Sequence, residues 1–580
     1  MNASASVYGV KPLRLPFDTS LTMPGSKSHA NRAIIAACLS KGTTIIQNAT
    51  PCDDVALMVK NLHKMRFAIR SADRATGTLV IRGGIPQNRD TGKPIRLDCG
   101  NAGTTLRFLT ALACIVPGHF LITGERAMLR RPIGDLVSAL RGLGAVIEDT
   151  NGFPPIRVLG GEIAGGETRL DVQKSSQYLS ALLLIAPSLS KGLNVRLSGK
   201  PASPSYIDLT RKVMGDFSVH VRTDKAVISV SASAAYRSPK HSAVEGDWSA
   251  AGSFLVLSEL TGGKIRFPNL SPDSSQGDRA LPTVLQHMRK KGRLTVDCAY
   301  FPDQVMNLAV RAAFRHGMTV LKGAGNLRLK ECNRLSVLVS ELSKTGIRIR
   351  ENADGVTIRG PARIKPALLD PHDDHRMAFC FALLGSLCPG IRIKNPACVS
   401  KSYPHFFKDL EHLHRSPRCI AVVGMRGSGK STLALALSKK LHLRHTDTDV
   451  VFERKHGPIR KFVLESGWNA FRKEEERIVS ESLQPGTVVS LGGGAIESKL
   501  CRDRLKESAF VLRLSVPASI IIERLRAGGR PPLTDLPLDV EVRKVLKERT
   551  PLYRSVADLT LSETKNLSAI IRSLSPRCSL

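Results

Sequence analysis

Gly424 to Ser431 read G-M-R-G-S-G-K-S. The apolar run Cys419-Ile420-Ala421-Val422-Val423 precedes them, and a helix-forming stretch runs on from Ser431 to Lys440. Strand, glycine-rich loop and helix in that order form the setting in which this motif holds nucleotide phosphates. Backbone N–H groups around Gly427, Ser428 and Gly429 can cradle phosphate oxygens. Lys430 reaches the β- and γ-phosphates, Ser431 suits Mg²⁺, and Thr432 continues the helix start. Such a loop follows the first strand of its own domain, so an α/β parallel-sheet domain begins near Ser416. The preceding 415 residues therefore need a function of their own.

At 580 residues the chain is too long for one hydrophobic core. Hydrophobic residues make up 42% and charged residues 23%, as in ordinary globular proteins. No apolar run is long enough to span a membrane. Met1 to Leu15 shows neither the apolar core of a secretion signal nor an Arg/Ser-rich leader, and a cytoplasmic location is expected. The net charge of +35 fits steering of anionic small molecules into basic clefts. The basic residues are dispersed and only 5% of residues are aromatic, which argues against a nucleic-acid partner. The twelve cysteines form no C-x-x-C pair, so neither a metal nor a disulfide framework is expected. A monomer is expected.

A period runs through the first 415 residues. Turns feeding small-residue apolar helices fall at Ser28, Ala102, Ser176, Ser249, Asp303 and Asp374, in steps of 74, 74, 73, 54 and 71. Amphipathic helices start near Asp54, Pro132, Tyr206, Leu281, Arg334 and Tyr403, in steps of 78, 74, 75, 53 and 69. Short β-like runs such as Gly77–Arg82 lie between them. Six copies of one unit follow, with the short fourth step marking a break into two lobes of three. The expected lobes span about 19–244 and 1–18 with 245–415. Six helix N-termini aimed at one cleft would favour an anionic ligand.

The turns carry the matching side chains. Pro24 to Arg32 read P-G-S-K-S-H-A-N-R and Asn101 to Arg107 read N-A-G-T-T-L-R. Arg130-Arg131-Pro132, Ser175-Ser176-Gln177, Pro302-Asp303, Lys330 to Arg334 (K-E-C-N-R), Asp373 to Ala378 (D-D-H-R-M-A) and Lys401 complete the series. In this order they identify residues 7–414 as resembling 5-enolpyruvylshikimate-3-phosphate synthase. That resemblance implies a two-lobed, six-repeat enolpyruvyl transferase fold. It also implies transfer of enolpyruvyl from phosphoenolpyruvate to shikimate 3-phosphate with release of phosphate, and no cofactor.

By the same resemblance, Lys27, Ser28 and Arg32 hold both substrates. Ser175, Ser176, Gln177, Ser203, Asn326 and Lys330 contact shikimate 3-phosphate, with Tyr206 beside them. Gly103, Arg131, Gln177, Arg334, Arg376 and Lys401 contact phosphoenolpyruvate together with Lys27. Asp303, which also touches shikimate 3-phosphate, and Glu331 form the acid/base pair. Two carboxylates among cations can share proton traffic if their pKa values differ, and guanidinium forks suit carboxylate and phosphate. Two positions depart from the family. Phe108 stands where many members have Pro, and Asn333 where many have Asp; an effect from behind the catalytic residues is expected of Asn333, without loss of activity. Enolpyruvyl transfer to a nucleotide sugar is the alternative on this fold. Ser175-Ser176-Gln177, the Asp373–Ala378 motif and the lack of Cys in Gly118–Pro132 argue against it.

Behind the phosphate-binding loop come His445 to Asp449 (H-T-D-T-D), Ala470-Phe471-Arg472 with Glu475, Ser490 to Ala495 (S-L-G-G-G-A), Arg530-Pro531-Pro532-Leu533 and Arg549 to Tyr553 (R-T-P-L-Y). With the loop, these make residues 418–580 similar to shikimate kinase. The resemblance implies ATP as phosphate donor and Mg²⁺ held by Ser431 and Asp447. It gives Asp449 as base, Arg472, Gly493, Gly494 and Arg549 as shikimate contacts, and Arg530 as the lid arginine on the transferring phosphate. The kinase product is the transferase substrate, so the two halves name consecutive steps. An inactive, structural half is the competing reading; no charged catalytic position is missing from either half.

Overall fold

A computed structural model describes residues 6–13, 15–73, 75–87, 93–527, 534, 536–562 and 567–574. Among the described residues, twelve α-helices precede the phosphate-binding loop. They are α1 (Lys27–Leu39), α2 (Asp53–Lys64), α3 (Gly103–Ile115), α4 (Gly134–Gly142), α5 (Ser176–Ile185) and α6 (Ser205–Asp216), then α7 (Trp248–Thr261), α8 (Leu281–His287), α9 (Val305–Ala313), α10 (Arg334–Lys344), α11 (His375–Leu387) and α12 (Phe406–His414). Each begins within about three residues of its expected start. The odd-numbered helices are buried over most of their length, as suits helices with little solvent face. All thirteen residues of α11 are buried, and nine of the ten in α5. The even-numbered helices keep a polar outer face; α2 buries Val55, Met58 and Leu62 and exposes Lys60 and Lys64.

Four of the six units carry a four-stranded sheet of one pattern, with one parallel pair followed by two antiparallel pairings. The first unit borrows His241–Ala243 from the end of the third, which closes the lobe on itself. The short fourth step has a simple cause. Between α7 and α9 the chain lacks the antiparallel hairpin, and Lys264–Arg266 pairs only with Asp18–Ser20. One core runs from Ala30 to Val244. A second is built from Val10–Met23 and Ala250–Leu413.

The C-terminal part is a five-stranded, all-parallel sheet in the order Arg444–Asp447, Thr487–Ser490, Cys419–Val423, Ala509–Leu514, Leu559–Leu561. The three inner strands are buried along their whole length, as parallel strands covered on both faces must be. The phosphate-binding loop leaves the central strand. Around the sheet lie α13 (Lys430–Leu441), α14 (Thr448–His456), α15 (Ile459–Ser482), α16 (Lys499–Ser508), α17 (Ala518–Ala527), α18 (Leu538–Val556) and α19 (Leu567–Leu574).

A seam joins this sheet to the second core. Phe17 bridges to Pro417, Arg418 N–H donates to Pro16 O (2.8 Å), and Asp18 N–H donates to Ser416 O (2.9 Å). The buried Arg418 guanidinium donates to Gly262 O (2.9 Å) and Lys506 O (3.2 Å). Lys264 Nζ donates to Lys506 O (2.7 Å) and to Glu507 O, satisfying carbonyls at the C-terminal end of α16. Leu15 packs among Ile420, Phe510 and Ile570. Cys388, at the end of α11, is disulfide-bonded, a departure from the cysteine reading; the other ten described cysteines are free thiols.

Candidate active sites

Residues at the N-termini of α1, α3, α5, α9 and α11 line one cavity of about 720 Å³, open to solvent; Asp247 and Ser249 at the start of α7 instead line an adjoining space of about 290 Å³, so five of the six core helices, not all six, face the main cavity. Lys27 and Ser28 start α1, Gly103 and Thr104 start α3, Ser175 and Gln177 start α5, and His375 and Arg376 start α11; all line it, with Asp303 ahead of α9. The caps are local. Ser26 Oγ accepts from His29 N–H, Ser175 Oγ from Gln177 N–H, and Asp374 Oδ1 from Arg376 N–H. Seven basic and three acidic side chains line the space, a local excess of four positive charges before helix dipoles are added. Gly103 leaves room for two guanidiniums that a side chain there would displace. A Cβ there would lie 2.6 Å from the Arg107 guanidinium and 2.8 Å from that of Arg131.

The carboxylates are pinned from both lobes. Arg334 donates to Asp303 (2.8 Å), Glu331 (2.9 Å) and Asp374 (2.7 and 3.2 Å). Asp303 also accepts from Tyr206 OH (2.7 Å) and Arg376 (3.4 Å). Glu331 faces Arg131 (3.5 Å) and Lys401 (3.7 Å). Asp54 pairs with Lys27 (2.8 Å) and Lys401 (3.3 Å), and Lys401 donates to Asn101 O (2.6 Å).

Desolvation works to raise the Asp303 carboxyl, but Arg376, Arg334 and Lys330 outweigh it and hold it well below the usual range. Glu331 is likewise desolvated and likewise held low, by Arg334, Arg131 and Lys401. Both are carboxylates at neutral pH in the free protein. Desolvation lowers Lys330, against the pull of Asp303. It also pushes the His375 imidazole well below its ordinary value, with Lys27 and Arg376 adding to the effect, so His375 is neutral. Lys27 stays charged, because Asp54 and Glu331 overcome its desolvation.

Of the expected residues, Lys27, Ser28, Gly103, Arg131, Ser175, Gln177, Asp303, Asn326, Lys330, Glu331, Arg334 and Arg376 line the cavity, with Tyr206. Arg32, Ser176, Ser203 and Lys401 do not. Arg32 is buried behind the wall, donating to Thr210 Oγ1 (2.8 Å), Ser28 O (2.8 Å), Ser180 Oγ (3.2 Å) and Tyr206 O (3.3 Å). Phe108 packs its ring 5.2 Å from that guanidinium, a cation–π contact that a proline could not make. Ser203 Oγ accepts from Asn326 (2.8 Å), joining the lobes. Asn333 is the N-cap of α10, accepting from Ser336 N–H (3.3 Å), so Asp at this position would serve the same local purpose. Asp54, Arg107 and His375 also line the cavity, although the sequence motifs give them no role. Arg107 donates to Gly103 O (2.9 Å) and Pro132 O (3.1 Å).

In the C-terminal sheet, Gly427 (φ 76°) and Gly429 (φ 96°) have left-handed backbones that let the loop curl before α13. Lys430 Nζ donates to Met425 O (3.0 Å), and Ser428 lies fully buried. Gly429 and Thr432 line a space of about 650 Å³ with Leu433, Ala436, Arg524 and Leu567. Arg524, which donates to Ser428 O (3.0 Å), had no sequence signal beyond its charge. Ser431 Oγ and Ser490 Oγ both donate to Asp447 Oδ2 (2.6 and 2.7 Å), an oxygen-only cluster of the hard donors Mg²⁺ prefers.

Across the loop, Arg472 and Arg549 converge on Glu497, at 3.0 and 2.9 Å. Arg472 also pairs with Glu475 (2.6 Å). Desolvation raises the Glu475 carboxyl. Two guanidiniums sharing one exposed carboxylate can re-pair with a carboxylate ligand. A Cβ at Gly494 would sit 2.4 Å from the Arg472 guanidinium, which would have to move aside. At Gly492 a Cβ would meet Asp449 Oδ1 (2.6 Å) and Glu475 (2.8 Å). Gly493 O accepts from Arg549 (3.2 Å) and Tyr553 OH (2.6 Å). Arg530 lies outside the described residues.

The chain matches the family EPSP synthase (3-phosphoshikimate 1-carboxyvinyltransferase) over residues 14–410. It matches the family shikimate kinase over residues 426–577. It is 35% identical over 412 residues to the 3-phosphoshikimate 1-carboxyvinyltransferase of Shewanella halifaxensis, covering 68% of this chain and 96% of that relative. Against the protein of the same name from Marinomonas sp. it is 37% identical over 407 residues, covering 67% and 95%. A solved EPSP synthase from Acinetobacter baumannii shares the fold over 71% of this chain and 98% of its own, with a TM-score of 0.59 at 23% identity.

Proposed function

The chain belongs to the EPSP synthase family and carries a shikimate kinase domain behind it, and from that premise we propose how its residues divide the work of two consecutive reactions. The enzyme is bifunctional: it phosphorylates shikimate with ATP, and it transfers enolpyruvyl from phosphoenolpyruvate to shikimate 3-phosphate. The observation that carries the residue assignment is the single cavity in which Asp303 and Glu331 stand among cations from both lobes.

The two carboxylates have different neighbours. Asp303 lies with Tyr206, beside Asn326 and Lys330, on the side assigned to shikimate 3-phosphate. It is the base toward the attacking hydroxyl. Glu331 lies toward Arg131 and Lys401, on the side assigned to phosphoenolpyruvate, and handles the methylene proton. The free enzyme holds both ionised. Phosphoenolpyruvate brings negative charge that Arg131, Lys401 and Lys27 must share, which weakens their hold on Glu331 and lets it take up the proton it delivers. Gly103, Arg376 and Gln177 shape the same pocket. Arg32, Ser176 and Ser203 act from behind or beside it.

In the kinase, the amides of Gly427 to Thr432 and Lys430 hold the ATP phosphates. Ser431 and Asp447 would hold Mg²⁺, whose chemistry there is charge neutralisation on the phosphates. Arg472 and Arg549 hold the shikimate carboxylate beside Gly493 and Gly494. Asp449, next to Gly492, takes the acceptor proton. Arg530 is assigned to the transferring phosphate on its motif alone. A monomer suffices, because one chain supplies every assigned residue, and a cytoplasmic location is in keeping with the metabolites used.

The test is a one-pot reaction with shikimate, Mg-ATP and phosphoenolpyruvate on wild type, Lys430→Ala and Glu331→Ala. Wild type yields the enolpyruvyl product. Lys430→Ala stops at shikimate and Glu331→Ala accumulates shikimate 3-phosphate. A wild-type stall at either stage refutes the assignment of that half.

A further inference from the structure

The phosphate-binding loop carries an arginine, Arg426, to which the motif gives no role. Arg426 Nη2 pairs with Glu541 Oε1 on the first turn of α18. The Glu541 side chain has no exposed surface, and that of Arg426 is 15% exposed. The other Glu541 oxygen accepts from Thr534 N–H (2.8 Å) and Thr534 Oγ1 (3.2 Å). Further along α18, Arg549 and Tyr553 both donate to Gly493 O (3.2 and 2.6 Å). Gly493 in turn abuts the loop: a Cβ added there would lie 3.0 Å from Arg426 N. The loop that holds the donor phosphates, α18, and the glycine turn of the acceptor site thus close a ring.

A buried ion pair is a weak source of stability, because desolvating both charges offsets most of their attraction. An apolar pair of similar size would hold the fold as well. Position is another matter. Phosphoryl transfer depends on holding donor and acceptor in line, and an error of about 1 Å costs about 100-fold in rate. We propose that the Arg426–Glu541 pair is a positioning strut that fixes the phosphate-binding loop against α18, so that the nucleotide and shikimate cradles keep the spacing transfer requires. This rests on the kinase reading given above.

The experiment uses the full chain, with transferase activity as the internal measure of folded protein. Arg426→Met is expected to lower kcat for shikimate-dependent ADP formation about 10- to 100-fold, with KM for ATP changed less than about threefold, since the loop amides remain. Arg426→Met/Glu541→Met also removes the buried carboxylate that Arg426→Met deprives of its guanidinium, and restores the melting temperature, but not kcat. Recovery of kcat in the double variant makes the pair merely structural and overturns the proposal. So does a loss in Arg426→Met that falls on KM for ATP alone. Absence of shikimate-dependent turnover in wild type refutes the kinase reading instead, so the two failures are distinguishable.

Discussion

Replacing Arg334 by Met should make the two-lobed part unstable in a pH-dependent way while sparing the kinase. Arg334 is 2% exposed and touches three carboxylates, Asp303, Glu331 and Asp374, at 2.7–3.2 Å. Met is close in bulk and leaves no large cavity. What it removes is the cation around which three acids were gathered. Breaking a buried ion pair on one side costs about 3–5 kcal/mol. For a unit of about 150–250 residues, 1 kcal/mol moves the melting temperature by about 2–4 °C, so a fall of about 6–20 °C is expected at pH 8. The sign with pH follows from Asp303 and Glu331. Their folded pKa values are depressed, so they contribute stability above the unfolded carboxyl pKa and lose it as pH falls through the folded values. Without Arg334 that contribution shrinks, so the gap between wild type and variant is widest at neutral pH and closes mainly below about pH 4, as pH falls toward the depressed folded values. The assay is thermal unfolding of the full chain at several pH values, with shikimate-dependent ADP formation as the control. A gap that stays constant with pH, or a parallel loss of kinase activity, would refute the electrostatic argument.

Three further outcomes are expected. Gly494→Ala places a Cβ 2.4 Å from the Arg472 guanidinium, which must swing away; KM for shikimate rises about 10-fold with KM for ATP unmoved, and an unchanged KM for shikimate counts against the assigned acceptor cradle. Asp278 is buried against Ser249 (2.6 Å), and desolvation with help from Asp303 pushes its carboxyl up to about 6. An acid raised in the fold costs stability above that pH, so Asp278→Asn should stabilise by up to about 3 kcal/mol at pH 8 and by nothing near pH 4, as read from urea unfolding at both. Lys264→Met with Arg418→Met leaves the carbonyls of Gly262, Lys506 and Glu507 without these donors at the seam, at about 1–3 kcal/mol for each group left buried. Hydrogen exchange in Cys419–Val423 should then accelerate, and unchanged exchange would show that the seam does not support the central strand.

The period of the two-lobed part was legible because each core helix opens on residues that also serve the site. Lys27, Gly103, Ser175 and Arg376 mark a helix start and line the cavity at once, so pattern and chemistry coincide in sequence. Glu541 and Glu497 are not legible in the sequence, since their guanidinium partners lie 25 to 115 residues away and each looks locally like a solvated helix or turn charge. The resemblance implies Arg32 as a substrate contact, and its place one turn past Lys27 puts it on the same helix face. That spacing sets the face of α1 but not what packs on it, and Thr210, Ser180 and Phe108 arrive from elsewhere in the lobe.

The acid/base expectation needs a physical revision. Two catalytic carboxylates can share proton traffic if their pKa values differ, yet in the free protein Arg334 is shared between them and both lie low. Any difference must therefore come from charge that arrives with the substrates. Arg131 and Lys401 flank Glu331 but not Asp303, so an anion bound to those two cations raises Glu331 more than its partner. Proton uptake should then accompany phosphoenolpyruvate binding near neutral pH. Titration calorimetry in two buffers of different ionisation enthalpy would detect it, and the uptake should disappear in Glu331→Gln. Uptake that persists in that variant would assign the proton to another group and remove Glu331 from the acid role.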